Sequence, residues 1–315
     1  MSSTPVMIKS SQPLLFLFGP TAVGKSSLIT SLFSENYQII SADSKQVYRH
    51  LDIGSAKVEK EIQQKIKHHL IDIIDPSESF SVGQFVKLAD EAVAKIYLDE
   101  QIPIISGGTA YYFKHFLFGL PPSPKSDPIS RSYVKELLDK HGQQWLYQQL
   151  EQIDPIAVKK IHPSDAYRIT RALEVYYATG KPLSSFVLSE EPRNNLKPLL
   201  IGLNRERDEL KELITKRVDQ MFAKGLVDEI KKLKEMGAKQ NWPGMEGIGY
   251  REFFDEKGSY IFDQQIVAPK IVSNSVKYTK RQLTFFKSLP NVNWVHPSET
   301  TKIKNLVDLY LNSFN

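Results

Sequence analysis

Hydrophobic and polar positions along the chain fall into two alternating regimes. Leu14 to Phe18 is an unbroken apolar run of the length a strand buried on both faces needs. Tyr37 to Ser41, Ile102 to Ser106 and Lys197 to Leu203 repeat that pattern, and 69–75 is expected to be a further strand ending in a turn at Pro76. Between these runs the spacing turns helical. A helix is predicted from Lys25, with Leu28, Ile29 and Leu32 on one face. Others are predicted over 58–67, over 81–98 with Ser81 as its cap, and over the aromatic stretch 111–118. Strands alternating with helices predict an α/β fold, a parallel sheet flanked by helices.

The proline-rich stretch Leu120 to Pro128 reads as a linker, after which the pattern is helical only. Helices are predicted over 131–141, 144–152, 155–161 and 164–178, the last stopped by Gly180 and Pro182. An all-helical subdomain over 123–196 is therefore expected, inserted into a core of 14–122 and 197–296. Within the core, 207–236 is a helical pattern broken near Gly225, and 241–252 a glycine-rich loop entering a helix. Helices are also expected over 264–289 and 300–314, the latter in a terminal segment, 297–315. Residues 1–13 are expected to be a disordered lead-in.

Composition narrows the class. The 315 residues are 41% hydrophobic and 24% charged, ordinary for a globular protein. No apolar run approaches a membrane span and no apolar leader opens the chain, so no membrane partner is expected. The absence of cysteine excludes disulfides and Cys-ligated zinc and fits a reducing, cytoplasmic setting. A net charge of +5 is a mild hint of a polyanionic partner.

Candidate chemistry starts at Gly19, Pro20, Thr21, Ala22, Val23, Gly24, Lys25 and Ser26, which match G-x-x-x-x-G-K-[ST] between a predicted strand and a predicted helix. That context marks a phosphate loop, in a P-loop NTPase-like sheet. Its backbone N–H groups curl around phosphate, Lys25 reaches the terminal phosphate, and the Ser26 hydroxyl is placed for Mg²⁺. Asp43, just past the second strand, reads either as a ligand-side carboxylate or as a turn former. Asp72 or Asp75 reads as a metal-side acid, and Asp75, before Pro76, equally as a turn former. Gly107 and Gly108 permit close backbone approach to a ligand, and Thr109 offers a hydroxyl. Arg168 and Arg171 share a helical face that suits anion contact or pairing with Asp165 and Glu174. From Gln264 to Ser298 there is no acid, while Lys270, Lys277, Lys280, Arg281 and Lys287 provide a basic stretch suited to nucleic-acid phosphates. On that helix Ile271, Tyr278, Gln282, Phe285 and Leu289 are expected to follow one face, and Lys277, Lys280, Arg281, Thr284 and Lys287 another.

Taken together, GPTAVGKS (Gly19–Ser26), SADSKQVYRHLDIGSAK (Ser41–Lys57), HHLID (His68–Asp72), SVGQF (Ser81–Phe85), GGTAYYF (Gly107–Phe113), IHPSDAYRITRALEV (Ile161–Val175), GIGYRE (Gly247–Glu252) and YTKRQLTFF (Tyr278–Phe286) resemble the tRNA dimethylallyltransferase family. The resemblance implies transfer of a dimethylallyl group from its diphosphate to N6 of the adenosine 3′ of the anticodon in tRNA. It also implies Mg²⁺, no membrane and a monomer. Asp43 then matches the family's proposed base, and Thr109 the hydroxyl beside diphosphate and substrate nucleotide. Arg131 matches a position near the allylic diphosphate or the tRNA. Asp43, Ser44, Lys45 and Gln46 match regions that touch tRNA. So do Tyr167, Arg168, Ile169, Thr170 and Arg171. Glu246, Gly247, Ile248, Gly249, Tyr250 and Arg251 match a third such region, and Lys280, Arg281 and Gln282 a fourth.

Three departures stand out. Glu246 replaces a usual Gln, Lys45 a usual Met or small residue, and Ala110 a third Gly. The missing C-terminal zinc finger points to a bacterial or organellar-type form. Other readings are a prenyltransferase of free adenine nucleotides, a nucleoside or nucleotide kinase using Asp72 or Asp75, and an RNA-binding module that senses nucleotide. The first would not need Arg168, Arg171 or the basic helix.

Overall fold

The computed structural model describes residues 12–124 and 127–314. Most of the expected lead-in, and Lys125 and Ser126 of the linker, lie outside them. The chain divides into two compact units, one of residues up to Leu117 and from Arg193 onward, the other Phe118–Pro192.

The first unit is built on a six-stranded sheet: Leu15–Phe18 (β1), Tyr37–Ser41 (β2), His68–His69 (β3), Ile102–Gly107 (β4), Leu199–Leu203 (β5) and Asn293–Val295 (β6). The order is β3-β2-β4-β1-β5-β6 and every pairing is parallel. All four residues of β1 are buried, as a strand covered on both faces requires. The register pairs Phe18 with Gly107 and Ser41 with Ser106, so the segments leaving β1, β2 and β4 emerge side by side at one edge.

Helices Lys25–Leu32 (α1), Lys60–Lys65 (α2), Val82–Leu98 (α3) and Ala110–Phe118 (α4) connect the first strands. Ser81 and Gln84 form a reciprocal cap on α3, satisfying two end groups at once. The second unit holds Pro128–Ile153 (α5), Pro155–Val158 (α6) and Ala166–Thr179 (α7). The expected pair of helices over 131–152 is present within α5, divided by a kink at Gly142, whose φ of 79° only glycine adopts freely. Val134, Leu146, Leu150, Ile169 and Leu173 form this unit's core.

Arg207–Ala223 (α8), Leu226–Glu235 (α9), Gln264–Phe286 (α10) and Thr300–Asn312 (α11) complete the first unit. Gly225, at φ 94°, separates α8 from α9. Segment α10 buries Val267, Ile271, Ser275, Thr279, Gln282 and Phe286, a stripe stepping by three and four. Phe286, not Phe285, faces inward, where it stacks on Phe18 with ring centroids 4.6 Å apart. Ile303 and Val307 of α11 join the same core as Leu15, Leu17 and Ile201.

Two strand expectations need correction. The 69–75 segment contributes only the end of β3, because Leu70 and Asp72 take positive φ (62° and 55°). The chain bends there, and Asp72 N–H and Ile73 N–H donate to the Gln46 and Val47 carbonyls, 3.1 and 2.8 Å. Ile73 and Ile74 then pack with Val47 and Tyr48 instead of extending the sheet. Strand β6 is unexpected, since three residues with a polar Asn293 give no readable alternation. The 241–252 loop leads into a short 3₁₀ turn, Arg251–Phe253, not a full helix. No helix among the described residues is long and apolar enough to cross a membrane.

Candidate active site

Three segments meet at the sheet edge. The first is the 19–26 loop. Ala22 and Gly24 have positive φ (62° and 106°), and α1 begins at Lys25. The Lys25 ammonium folds onto its own loop, donating to the Gly19 and Pro20 carbonyls at 2.8 Å each. The Ser26 side chain is exposed at the start of α1.

Residues 42–46 make the second segment. Asp43 Oδ1 accepts from Lys45 N–H at 2.8 Å and Gln46 N–H at 3.3 Å, which fixes the carboxylate. The turn-forming reading of Asp43 is thus correct for one oxygen. Among the described residues nothing donates to Oδ2. The third segment is 107–109. Thr109 Oγ accepts from Ser44 N–H at 3.0 Å, and Thr109 N–H donates to the Ala42 carbonyl at 3.1 Å.

The two glycines leave room for the protein's own packing. A Cβ on Gly107 would lie 2.1 Å from the Ala42 carbonyl oxygen, and one on Gly108 2.7 Å from Gln282 Nε2. Gln282, delivered by α10, bridges the first and third segments. Its Oε1 accepts from Thr21 N–H at 3.0 Å and its Nε2 donates to the Gly108 carbonyl at 2.7 Å.

Charge converges on Asp43. Burial lowers the Lys25 ammonium to about 7; Arg217 repels it further and Asp43 works the other way. Lys45 is lowered to about 8, again by burial first, against the attraction of Glu246 and Asp43, with Arg251 adding repulsion. Lys45 Nζ donates to the Pro243 carbonyl at 2.7 Å and lies 5.5 Å from the centre of the Tyr48 ring. The Tyr278 hydroxyl is pushed up to about 12 by burial, with Asp43 adding to it. Asp43 thus sits among Lys25, Arg217 and Lys45, an arrangement short of negative charge and suited to an oxyanion.

Asp72 and Asp75 are engaged elsewhere. Lys57 Nζ bonds Asp72 at 2.5 Å and Arg49 bonds Asp75 at 2.8 Å. Among the described residues no group of three or more His, Cys, Asp or Glu side chains could hold a metal ion.

Comparison with known proteins fits this geometry. A family model described as IPP transferase matches residues 46–289. The tRNA dimethylallyltransferase of Borrelia duttonii is 40% identical over 94% of this chain and 97% of its own length. That of Thermoanaerobacter is 41% identical over 89% and 90%. The crystal structure of tRNA isopentenylpyrophosphate transferase from Bacillus halodurans is 35% identical, with a TM-score of 0.67 over 96% of this chain and 98% of that one.

The chain belongs to the IPP transferase family.

Other residues singled out in this IPP transferase sequence divide by exposure. Ile169, Tyr250 and Gln282 are buried. The Tyr250 hydroxyl donates to Glu229 at 2.8 Å and accepts from Ser55 N–H at 3.0 Å, and Gly249 N–H donates to the buried Glu252 at 2.8 Å. Lys280, Arg281, Lys270, Lys277, Lys287, Glu246 and Arg251 are exposed. In the second unit the buried Glu174 lies 3.8 Å from Arg131 and 3.5 Å from Arg171, while Arg168 lies 3.4 Å from Asp165. Tyr167 is 77% exposed, a large aromatic ring left to solvent.

Sequence reading missed Arg217. The available signal was its place on α8 between the buried Ile214, Val218 and Met221, where an arginine interrupts an apolar stripe.

Two outcomes follow. Gln282→Leu strands the Thr21 N–H and the Gly108 carbonyl, so it is expected to lower stability by about 1–3 kcal/mol and to weaken diphosphate binding. Urea unfolding and calorimetry with inorganic diphosphate check this, and unchanged stability would deny the bridge its role. Burial lowers Lys25 to about 7, so an anion bound at the 19–26 loop would hold it protonated. Diphosphate affinity is therefore expected to be full below pH 7 and to fall as pH rises above it, by up to tenfold per unit. Lys25→Arg, whose charge does not titrate there, should lack this component; identical pH profiles would exclude Lys25 as its source.

Proposed function

We propose that this chain transfers a dimethylallyl group from dimethylallyl diphosphate to N6 of the adenosine 3′ of the anticodon in tRNA, giving N6-(dimethylallyl)adenosine and diphosphate. The observation that carries this reading is the juxtaposition of Asp43, fixed through one carboxylate oxygen, with the cations Lys25 and Arg217 at a phosphate loop.

In this reading the 19–26 loop, from Gly19 to Ser26, cradles the diphosphate. N6 attacks the allylic carbon, the carbon–oxygen bond breaks, and its electron pair leaves with diphosphate. Lys25 and Arg217 stabilise the charge that develops on the leaving oxygen. Asp43 Oδ2 accepts the proton lost from N6. Thr109 supports the base by holding Ser44 N–H, the next link in the same turn. The Ser26 hydroxyl would hold Mg²⁺, an ion that keeps much of its water and needs few protein ligands. When bound, the metal neutralises charge on the diphosphate.

The tRNA lies against the exposed cations of α10, above all Lys280 and Arg281, and against Ser44, Lys45, Gln46 and Arg251. Tyr167, Arg168, Thr170 and Arg131 of the second unit contact it as well. Ile169, Tyr250 and Gln282 contribute by holding those neighbours in position, with Gly247, Ile248 and Gly249 shaping the turn. Glu246 answers the charge of Lys45. The target adenosine leaves its stack to reach Asp43. The enzyme acts as a monomer in the cytoplasm.

A transfer assay tests this directly. Labelled dimethylallyl diphosphate and Mg²⁺ are offered with an anticodon stem-loop or with AMP. Label on the stem-loop alone is expected, and label on AMP alone would move the activity to free nucleotides. Asp43→Asn should bind tRNA normally and lose about 10²–10⁴-fold in turnover; full turnover would remove Asp43 from the mechanism. Replacing Lys280 and Arg281 by Gln should weaken tRNA binding and reduce the slope of log affinity against log salt by about 2. An unaltered slope would put the RNA on another surface.

A further inference from the structure

Arg205 follows β5, outside every motif in the sequence. Its Nε donates to the Val23 carbonyl at 2.9 Å, reaching the phosphate loop from the far side of the chain. The guanidinium is itself anchored: Nη1 is bound by the Glu209 carboxylate and lies 3.3 Å from His296 Nε2. His296 Nε2 in turn lies 3.3 Å from Glu209 Oε2, and its Nδ1 is engaged by Ser298. The clamp is thus assembled from the segments leaving β5 and β6, and Arg205 is only 19% exposed.

What it clamps is a peptide plane with an alternative. Gly24 has φ 106° and carries no Cβ, so the Val23–Gly24 peptide can rotate at little cost. In a trans peptide the C=O and the following N–H point in opposite directions. Holding the Val23 carbonyl outward therefore turns the Gly24 N–H the other way, into the loop. Among the described residues no carbonyl accepts from that N–H. A flipped peptide would present a carbonyl oxygen where the loop must receive an anion.

We propose that Arg205 is a positioning residue for diphosphate: by holding the Val23 carbonyl it fixes the Gly24 N–H toward the bound anion. The inference rests on the reading of 19–26 as a diphosphate site. It separates orientation from charge, because glutamine puts a donor nitrogen on Cδ, where arginine has Nε, yet carries no charge.

The experiment is calorimetric titration of Arg205→Gln and Arg205→Met with inorganic diphosphate and Mg²⁺, with thermal unfolding followed by circular dichroism. Arg205→Met is expected to bind about tenfold more weakly, and Arg205→Gln within about threefold of the parent. In the transfer assay the Met variant should raise KM for the allylic diphosphate and leave kcat and KM for tRNA little changed. Equal losses in both variants would assign the effect to charge and overturn the proposal, as would no loss in either. If Arg205→Met does not fold, Glu209→Gln, which loosens the anchor, replaces it: binding weakened about threefold supports the clamp, and unchanged binding overturns it. A parent protein that binds no diphosphate overturns the reading of the loop and the clamp together.

Discussion

The side-chain amide of Gln282 is the interaction on which the site depends. Parallel strands bring their ends to one edge, but past those ends the ladder stops, and the loops need further bonds, such as those of Thr109 with Ala42 and Ser44, to keep them in register. An amide offers an acceptor and a donor on one rigid group. Here the acceptor takes the Thr21 N–H and the donor meets the Gly108 carbonyl, residues far apart in the chain. The bridge is buried, where such bonds are strong and their loss leaves polar groups stranded. It is held one turn from Phe286, whose ring stacks on Phe18 of the central strand. The core therefore fixes the helix, and the helix fixes the loops.

The site is also organised as an excess of positive charge around one carboxylate. Lys25, Arg217 and Lys45 surround Asp43, and burial lowers both lysines. Such a cluster is costly until an anion arrives, so its electrostatics favour ligand binding over the empty state. The support behind it is extensive. Glu229 accepts N–H groups from Asp52, Ile53 and Gly54 and the Tyr250 hydroxyl. Ser55, on the same turn, offers its carbonyl to Arg217 at 3.5 Å. Residues remote from the 19–26 loop thus help hold the guanidinium near Lys25 and Asp43.

Lys45 and Glu246, two of the departures from the family pattern, interact in this protein. The attraction of Glu246 opposes the burial that lowers Lys45, and the Lys45 stem packs within about 3 Å of where a Cβ on Gly247 would sit. The added acid therefore answers an added base.

The sequence by itself determined the alternation of apolar runs and helical spacing, and with it the parallel sheet. It also marked the candidate phosphate loop, because that pattern is local: two glycines, a lysine and a serine at fixed spacing between a strand and a helix. Asp43 and Thr109 were legible for the same reason, each lying just past a strand end. The tertiary structure decided what depends on distant neighbours. It turned 69–75 out of the sheet, added β6 on three residues, and faced Phe286 inward in place of Phe285. It gave Gly107 and Gly108 to Ala42 and Gln282. It also brought Arg217 and Arg205 to the loop from α8 and from the end of β5. The apolar stripe of α8 hints that Arg217 turns inward and no local pattern marks Arg205, but neither names a partner, since a side chain's partner across the fold is set by packing and not by its neighbours in the chain.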